Sequence, residues 1–153
     1  MTNYTVDTLE LGPFTTESGE TILNLKLRYE HVGYEGQPLV LVCHALTGNH
    51  LTYGTDDNPG WWREIIDGGY MPIHDYQFLT FNVIGSPYGS SSPFTDADFP
   101  KHLTLRDIVN AIELGIQTLG FDRISILIGG SLGGMQALEL LYNHLSLIHI
   151  SEP

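Results

Sequence analysis

The sequence predicts an α/β fold built on a mainly parallel sheet led by an antiparallel hairpin. Three observations carry this. Continuous apolar runs recur at Leu39–Cys43, 78–84 and 124–128, as strands buried on both faces require. Segments of helical period lie at 104–119 and 132–142, between and after the later runs. Near the N-terminus, a stretch of strict alternation has the period of a half-buried strand. Buried strands alternating with helices build a parallel sheet with crossover helices.

Taken in order, the alternating stretch covers 21–30. Leu23, Leu25, Leu27 and Tyr29 are expected to face the core, with Asn24, Lys26, Arg28 and Glu30 facing water. Its expected partner is a strand around 4–11, with Ser18-Gly19 in the connecting turn. The run Leu39–Cys43 follows Pro38, and a short helix is expected to start at Trp61. In the helix over 104–119, Thr104 and Asp107 stand at capping-box spacing, although Asp is a poorer partner there than Glu or Gln. Ile108, Ile112, Ile116 and Leu119 recur at helical spacing, and Gly120 is the expected stop. The polar segments 47–59 and 85–100 both follow buried strands, at the sheet edge where open α/β folds bind ligands. No internal repeat is present.

Composition narrows the function classes. Apolar content of 42% against 16% charged describes a globular chain rather than a disordered one. A formal net charge of −12 argues against nucleic acid or an anionic membrane as partner. Cys43 is the single cysteine, which excludes a disulfide framework and a cysteine-based zinc site, and no metal is expected. No stretch approaches the roughly 18 consecutive apolar residues of a membrane span, and MTNYTVDTLE lacks an apolar signal core. A soluble, cytoplasmic protein is expected.

The chemistry centres on Gly129-Gly130-Ser131-Leu132-Gly133, a G-x-S-x-G motif with a buried strand before it and a helix after it. In that context the motif is a nucleophile elbow: a tight strand-to-helix turn strains the serine backbone and lifts its hydroxyl above the sheet. Gly129 and Gly133 are the elbow glycines, small because helix and strand must nearly touch, with Gly134 adding room. A phosphate-binding P-loop is excluded because Met135 and Gln136 replace its Lys and Ser or Thr, and a dinucleotide loop because Ser131 replaces its second glycine. The expected architecture is therefore the α/β-hydrolase fold. Ser131 is the expected nucleophile. The oxyanion donors are expected to be the backbone N–H groups of Leu132 and Leu46, each able to lower the barrier by about 3–4 kcal/mol. His44, beside the second donor, is expected to shape its loop rather than move protons.

In this fold the triad runs Ser, acid, His. After Ser131 come Glu139, His144, His149 and Glu152. Glu139 is expected to point outward from its helix. His144 lies about 20 Å along or past the helix at 1.5 Å per residue, too far to return. The earlier histidines His31, His50, His74 and His102 break the order and are expected at the surface. The triad acid and histidine are thus expected to be absent. Residues 1–143 are read as the N-terminal part of an α/β-hydrolase domain, and 144–153 as a non-native tail whose 145–153 stretch resembles sequencing-adapter read-through.

The blocks His44-Ala45-Leu46-Thr47-Gly48, Pro59-Gly60-Trp61-Trp62, Phe81-Asn82-Val83-Ile84-Gly85, Leu103-Thr104-Leu105-Arg106-Asp107 and Gly129 through Glu139 resemble, in order, the homoserine O-acetyltransferase family. The segment 85–93 departs from the Gly-Gly-Cys type of loop that many members carry. The resemblance implies ping-pong transfer of an acetyl group from acetyl-CoA to the hydroxyl of L-homoserine through an acyl-serine, in methionine biosynthesis. Acetyl-CoA enters as co-substrate, no cofactor is bound permanently, and the full-length enzyme is expected as a homodimer. Alternatives are a related acyltransferase using succinyl-CoA or serine, an esterase, or an inert fragment. Arg106 suggests a carboxylate clamp but is assigned no role.

Overall fold

The computed structural model describes residues 3–143. In chain order the elements are β1 (Tyr4–Glu10), β2 (Phe14–Thr15), β3 (Thr21–Ile22), β4 (Lys26–Val32), β5 (Leu39–Cys43), α1 (Arg63–Asp67), β6 (Gln77–Phe81), α2 (Leu105–Thr118), β7 (Ile126–Gly129) and α3 (Leu132–Asn143). Five strands form one sheet in the order β1-β4-β6-β5-β7. The β1/β4 and β4/β6 pairs are antiparallel, and β5 runs parallel to both β6 and β7.

The continuous apolar runs are explained by helices on both faces. Leu39, Leu41 and Cys43 pack with α2 and α3 residues such as Val109, Ile112, Ile116 and Leu140. Val40 and Val42 point the other way, toward Ile66 of α1, Ile73 and Phe78. All five β5 residues are buried, each large one contributing about 1.5–3 kcal/mol. The α2 capping box forms: Thr104 Oγ1 accepts from the Asp107 N–H, and Asp107 Oδ2 accepts from the Thr104 N–H. Buried Asp107 also accepts from the Glu17 N–H, so the shorter acid ties a neighbouring loop to the helix start.

Two expectations need correction. The alternating stretch 21–30 is not one strand. Residues 21 and 22 form a separate hairpin with β2, around the Ser18-Gly19 turn, and the main ladder starts at Lys26. Leu23 falls at the break and is 82% exposed, while Glu30 lies 1% exposed beneath a loop. Period-two alternation carries no mark of where a ladder breaks or which face a loop covers. The run at 124–128 also differs: β7 pairs with β5 alone among the described strands, and its residues are half-buried.

Candidate active site

Ser131 stands at the junction of β7 and α3, with one residue between strand end and itself. Among the described residues it is the one non-glycine with positive φ, at 56°. That left-handed conformation costs an L-residue about 1–2 kcal/mol, and it is held by the turn around it. The Gly133 N–H donates to the Gly130 carbonyl at 2.9 Å, and the Met135 N–H to the Ser131 carbonyl at 3.1 Å. A Cβ on Gly129 would run into the Gly133 carbonyl, and one on Gly133 into the Cys43 and His44 carbonyls. Helix α3 therefore rests on both β7 and the end of β5. The Ser131 side chain is exposed at this edge.

The turn after β5 sits beside it, since Cys43 and Gly129 are register partners. The Ala45 carbonyl accepts from the Gly48 N–H at 2.9 Å and from His44 Nδ1 at 2.7 Å. His44 Nε2 accepts the Val83 N–H at 3.1 Å, a partner set that assigns the proton to Nδ1. His44 is fully buried, and burial lowers its pKa below the usual histidine range, so it is neutral near pH 7. Both ring nitrogens are engaged with main chain. The imidazole shapes the loop. Gln136 of α3, also fully buried, reaches the His44 carbonyl from below through Nε2 at 3.4 Å. Leu46 occupies the exposed second position of the turn, and its N–H meets no acceptor among the described residues. Leu132 is the first residue of α3, where the N–H has no partner within the helix.

The loop that follows this turn is pinned by groups that the sequence reading placed in solvent. Buried Glu30 accepts the Tyr53 and Gly54 N–H groups, each at 2.8 Å, and the Tyr4 hydroxyl at 3.0 Å. Burial raises its pKa, and burial beside that carboxylate raises the Tyr4 phenol in turn. Thr52 and Thr80 hydroxyls meet at 2.6 Å. His50, expected at the surface, is 5% exposed and accepts from Arg28 Nε at 3.3 Å. Burial and the Arg28 charge lower its pKa to about 4. Its loop folds back over β4, which spacing alone does not reveal. His74 and His102 are exposed as expected, and His31 is half-buried against Gln77 at 2.8 Å.

The segment 85–92 is anchored at its C-terminal end. Ser90, Ser91 and Ser92 are buried, and Ser90 and Ser91 hydroxyls accept from the Arg28 and Lys26 N–H groups at 2.9 and 2.8 Å. Arg106 pairs with Glu17 at 3.3 Å and Glu139 at 3.1 Å. That engages both carboxylates and fixes Glu139 against α2 rather than outward. Burial pushes the Cys43 thiol up to about 12, so it stays protonated and unreactive near pH 7. A cleft of about 910 Å³, lined by residues such as His31, Gln77 and Arg123, opens at the opposite edge where β5 and β6 begin. It is remote from Ser131. Among the described residues no group of three or more His, Cys, Asp or Glu side chains stands together as a metal site requires, and no helix is long and apolar enough to cross a membrane. Positions 144–153, including the proposed tail, His144 and His149, lie outside the described residues.

Comparison with known proteins agrees with this geometry. The α/β-hydrolase fold family matches residues 38–149. A homoserine O-acetyltransferase of Haloferax prahovense is 36% identical over 150 residues, covering 87% of this chain and 36% of its own length. One from Geotalea uraniireducens is 41% identical over 140 residues, covering 80% of this chain and 38% of the relative. The crystal structure of homoserine O-acetyltransferase from Staphylococcus aureus is 79% identical with a TM-score of 0.93, over 95% of this chain and 45% of that one. Esterase E22, 24% identical with a TM-score of 0.78 over 97% of this chain and 46% of that one, shares the fold. The chain spans less than half the length of these proteins. It belongs to the α/β-hydrolase fold family, and its sequence relatives there include homoserine O-acetyltransferases.

Proposed function

We propose that the protein transfers an acetyl group from acetyl-CoA to the hydroxyl of L-homoserine by a ping-pong mechanism, in methionine biosynthesis in the cytoplasm. The observation that carries this is the left-handed Ser131 at the β7–α3 turn, a strained and exposed position that an ordinary glycine-rich turn would not give to serine. In the first half, Ser131 Oγ attacks the thioester carbonyl and loses its proton to a base. The C–S bond breaks, and coenzyme A leaves as the thiol with that proton. In the second half, the homoserine hydroxyl takes the acyl group and Ser131 regains its proton. Covalent catalysis splits one transfer into two easier steps. The Leu132 and Leu46 N–H groups receive the oxyanion of each tetrahedral intermediate. His44 and Glu139 are committed to structural bonds, so the base and its acid are proposed to come from the complete reading frame rather than from these 153 residues. No permanently bound cofactor takes part, and the working enzyme is proposed as a homodimer.

Expressing the complete reading frame and following thiol release tests this. Homoserine-dependent release from acetyl-CoA, lost in S131A, is the expected result. Faster release from succinyl-CoA would reassign the donor, and serine replacing homoserine the acceptor. Release independent of any amino acid would point to an esterase.

A further inference from the structure

Among the described residues Arg28 has no counter-ion, although the chain is acidic. The sequence has 18 Asp and Glu against 6 Lys and Arg, yet the ion pairs among the described residues involve Arg63 and Arg106. Arg28 instead donates to neutral acceptors, Nε to His50 Nε2 at 3.3 Å and Nη1 to Thr8 Oγ1 at 3.0 Å. Its stem is covered by Gly89, where a Cβ would collide with it. Glu30, two residues along the same face of β4, gives its oxygens to Tyr53, Gly54 and Tyr4. His50 behind it is neutral, and its buried Nδ1 has no partner. The guanidinium is thus held on two edges by uncharged groups, with Nη2 left over and the side chain half-exposed.

Register places this cation at the edge that carries Ser131. Glu30, Thr80, Val42 and Ile128 form one rung across the sheet. Arg28 lies two residues beyond that rung and Ser131 three, toward the same edge. Laterally, β4 is three strand spacings from β7, about 14 Å at about 4.8 Å each. We propose that Arg28 is an anion-binding residue at this edge and takes a phosphate group of the acyl donor. The inference rests on the acyl-CoA reading above. A guanidinium fork suits phosphate or carboxylate alike, and distance decides between them. The guanidinium leans toward Thr8 of β1, on the side of β4 away from β7, which puts it beyond a four-carbon amino acid whose hydroxyl meets the acyl-serine. The pantetheine arm is long enough to carry its phosphates there.

The test uses the protein from its complete reading frame, with acetyl-CoA and with acetyl-pantetheine, which keeps the thioester and lacks every phosphate. R28Q is expected to raise KM for acetyl-CoA at least about tenfold, with kcat and the KM for acetyl-pantetheine and homoserine unchanged. R28K should fall between. A higher KM for homoserine would assign Arg28 to the acceptor carboxylate and overturn the proposal. Equal effects on both donors, or none, would reduce it to a tie between β1 and the loop. If R28Q does not fold, salt supplies the reading in the parent: ionic strength should raise KM for acetyl-CoA and spare acetyl-pantetheine, and no difference overturns the proposal. If the parent transfers nothing from either donor, the reaction assignment fails. Calorimetric titration with coenzyme A then decides alone: affinity lost in R28Q or R28K upholds the phosphate site, and no binding or unchanged binding refutes it.

Discussion

Replacing Ser131 by glycine is expected to stabilise the fold while removing the proposed nucleophile. The serine sits at φ 56°, a conformation that costs an L-residue about 1–2 kcal/mol and glycine almost nothing. Against this, glycine adds unfolded-state freedom of about 0.4–1 kcal/mol. The side chain is exposed, so its deletion forfeits little packing. The difference leaves S131G more stable than S131A by about 0.5–1 kcal/mol, because alanine retains the strain and lacks the hydroxyl equally. In a domain of this size that is about 1–4 °C in Tm. Urea melts followed by the fluorescence of Trp61 and Trp62, with S131A as the reference, measure it. A glycine variant no more stable than the alanine variant would mean that residue 131 carries no left-handed strain, and the elbow argument would go with it.

Three further perturbations follow from the same contacts. G133A would drive a methyl into the Cys43 and His44 carbonyls; a loss of about 3 kcal/mol in urea melts is expected, together with loss of acylation. E30A leaves the Tyr53 and Gly54 N–H groups buried without acceptors and should cost about 3–5 kcal/mol, with faster hydrogen exchange at those two amides. Stability should fall as pH drops from 6.5 toward 4, because the unfolded chain protonates His50 in a window where the folded protein, with its pKa about 4, does not. The His50 contribution reaches about 3 kcal/mol at the acid end, and His44 adds in the same direction. Glu30 opposes both, since its raised pKa makes stability fall as pH climbs above 4.5. H50Q, which keeps an acceptor for Arg28, should flatten the acid slope in pH-dependent melts; an unchanged slope would contradict the burial argument.

What could be read in the sequence follows from how local each signal is. The apolar runs at β5 and β6, the α2 cap at Thr104 and Asp107, and the Gly129–Gly133 spacing each declare themselves within a few residues. Their physics is local too: a strand buried on both faces, a satisfied helix terminus, a turn without Cβ atoms. Glu30, His50 and the three serines at 90–92 escaped because their burial is imposed by loops distant in sequence. Glu30 reads as the polar half of an alternating strand, and nothing within β4 announces that Tyr53 and Gly54 will fold over it. A carboxylate mid-strand with no nearby cation at cross-strand spacing was the available hint. Leu23 failed for the opposite reason, its alternation persisting past the end of the ladder.

The separate anchors of the site converge on sheet register. Ser131 hangs from β7, the Leu46 turn from β5, the pinned loop from Glu30 of β4 and Thr80 of β6, and the buried serines from β4 again. None of these pieces touches all the others, so their relative positions are only as good as the ladder beneath them. A slip of one residue between β5 and β7 would displace the elbow by about 3.3 Å, when misplacement by about 1 Å already costs on the order of a hundredfold in rate. The same slip would carry Leu127 out of the α2–α3 core and Ile126 and Ile128 out of the α1 core, because a strand's side chains change face with every residue. The hydrophobic alternation that selects the fold therefore also sets Ser131 against the Leu46 turn, and substitutions at Val40, Val42, Ile126 or Ile128 that weaken that choice should degrade the proposed catalysis before they unfold the protein.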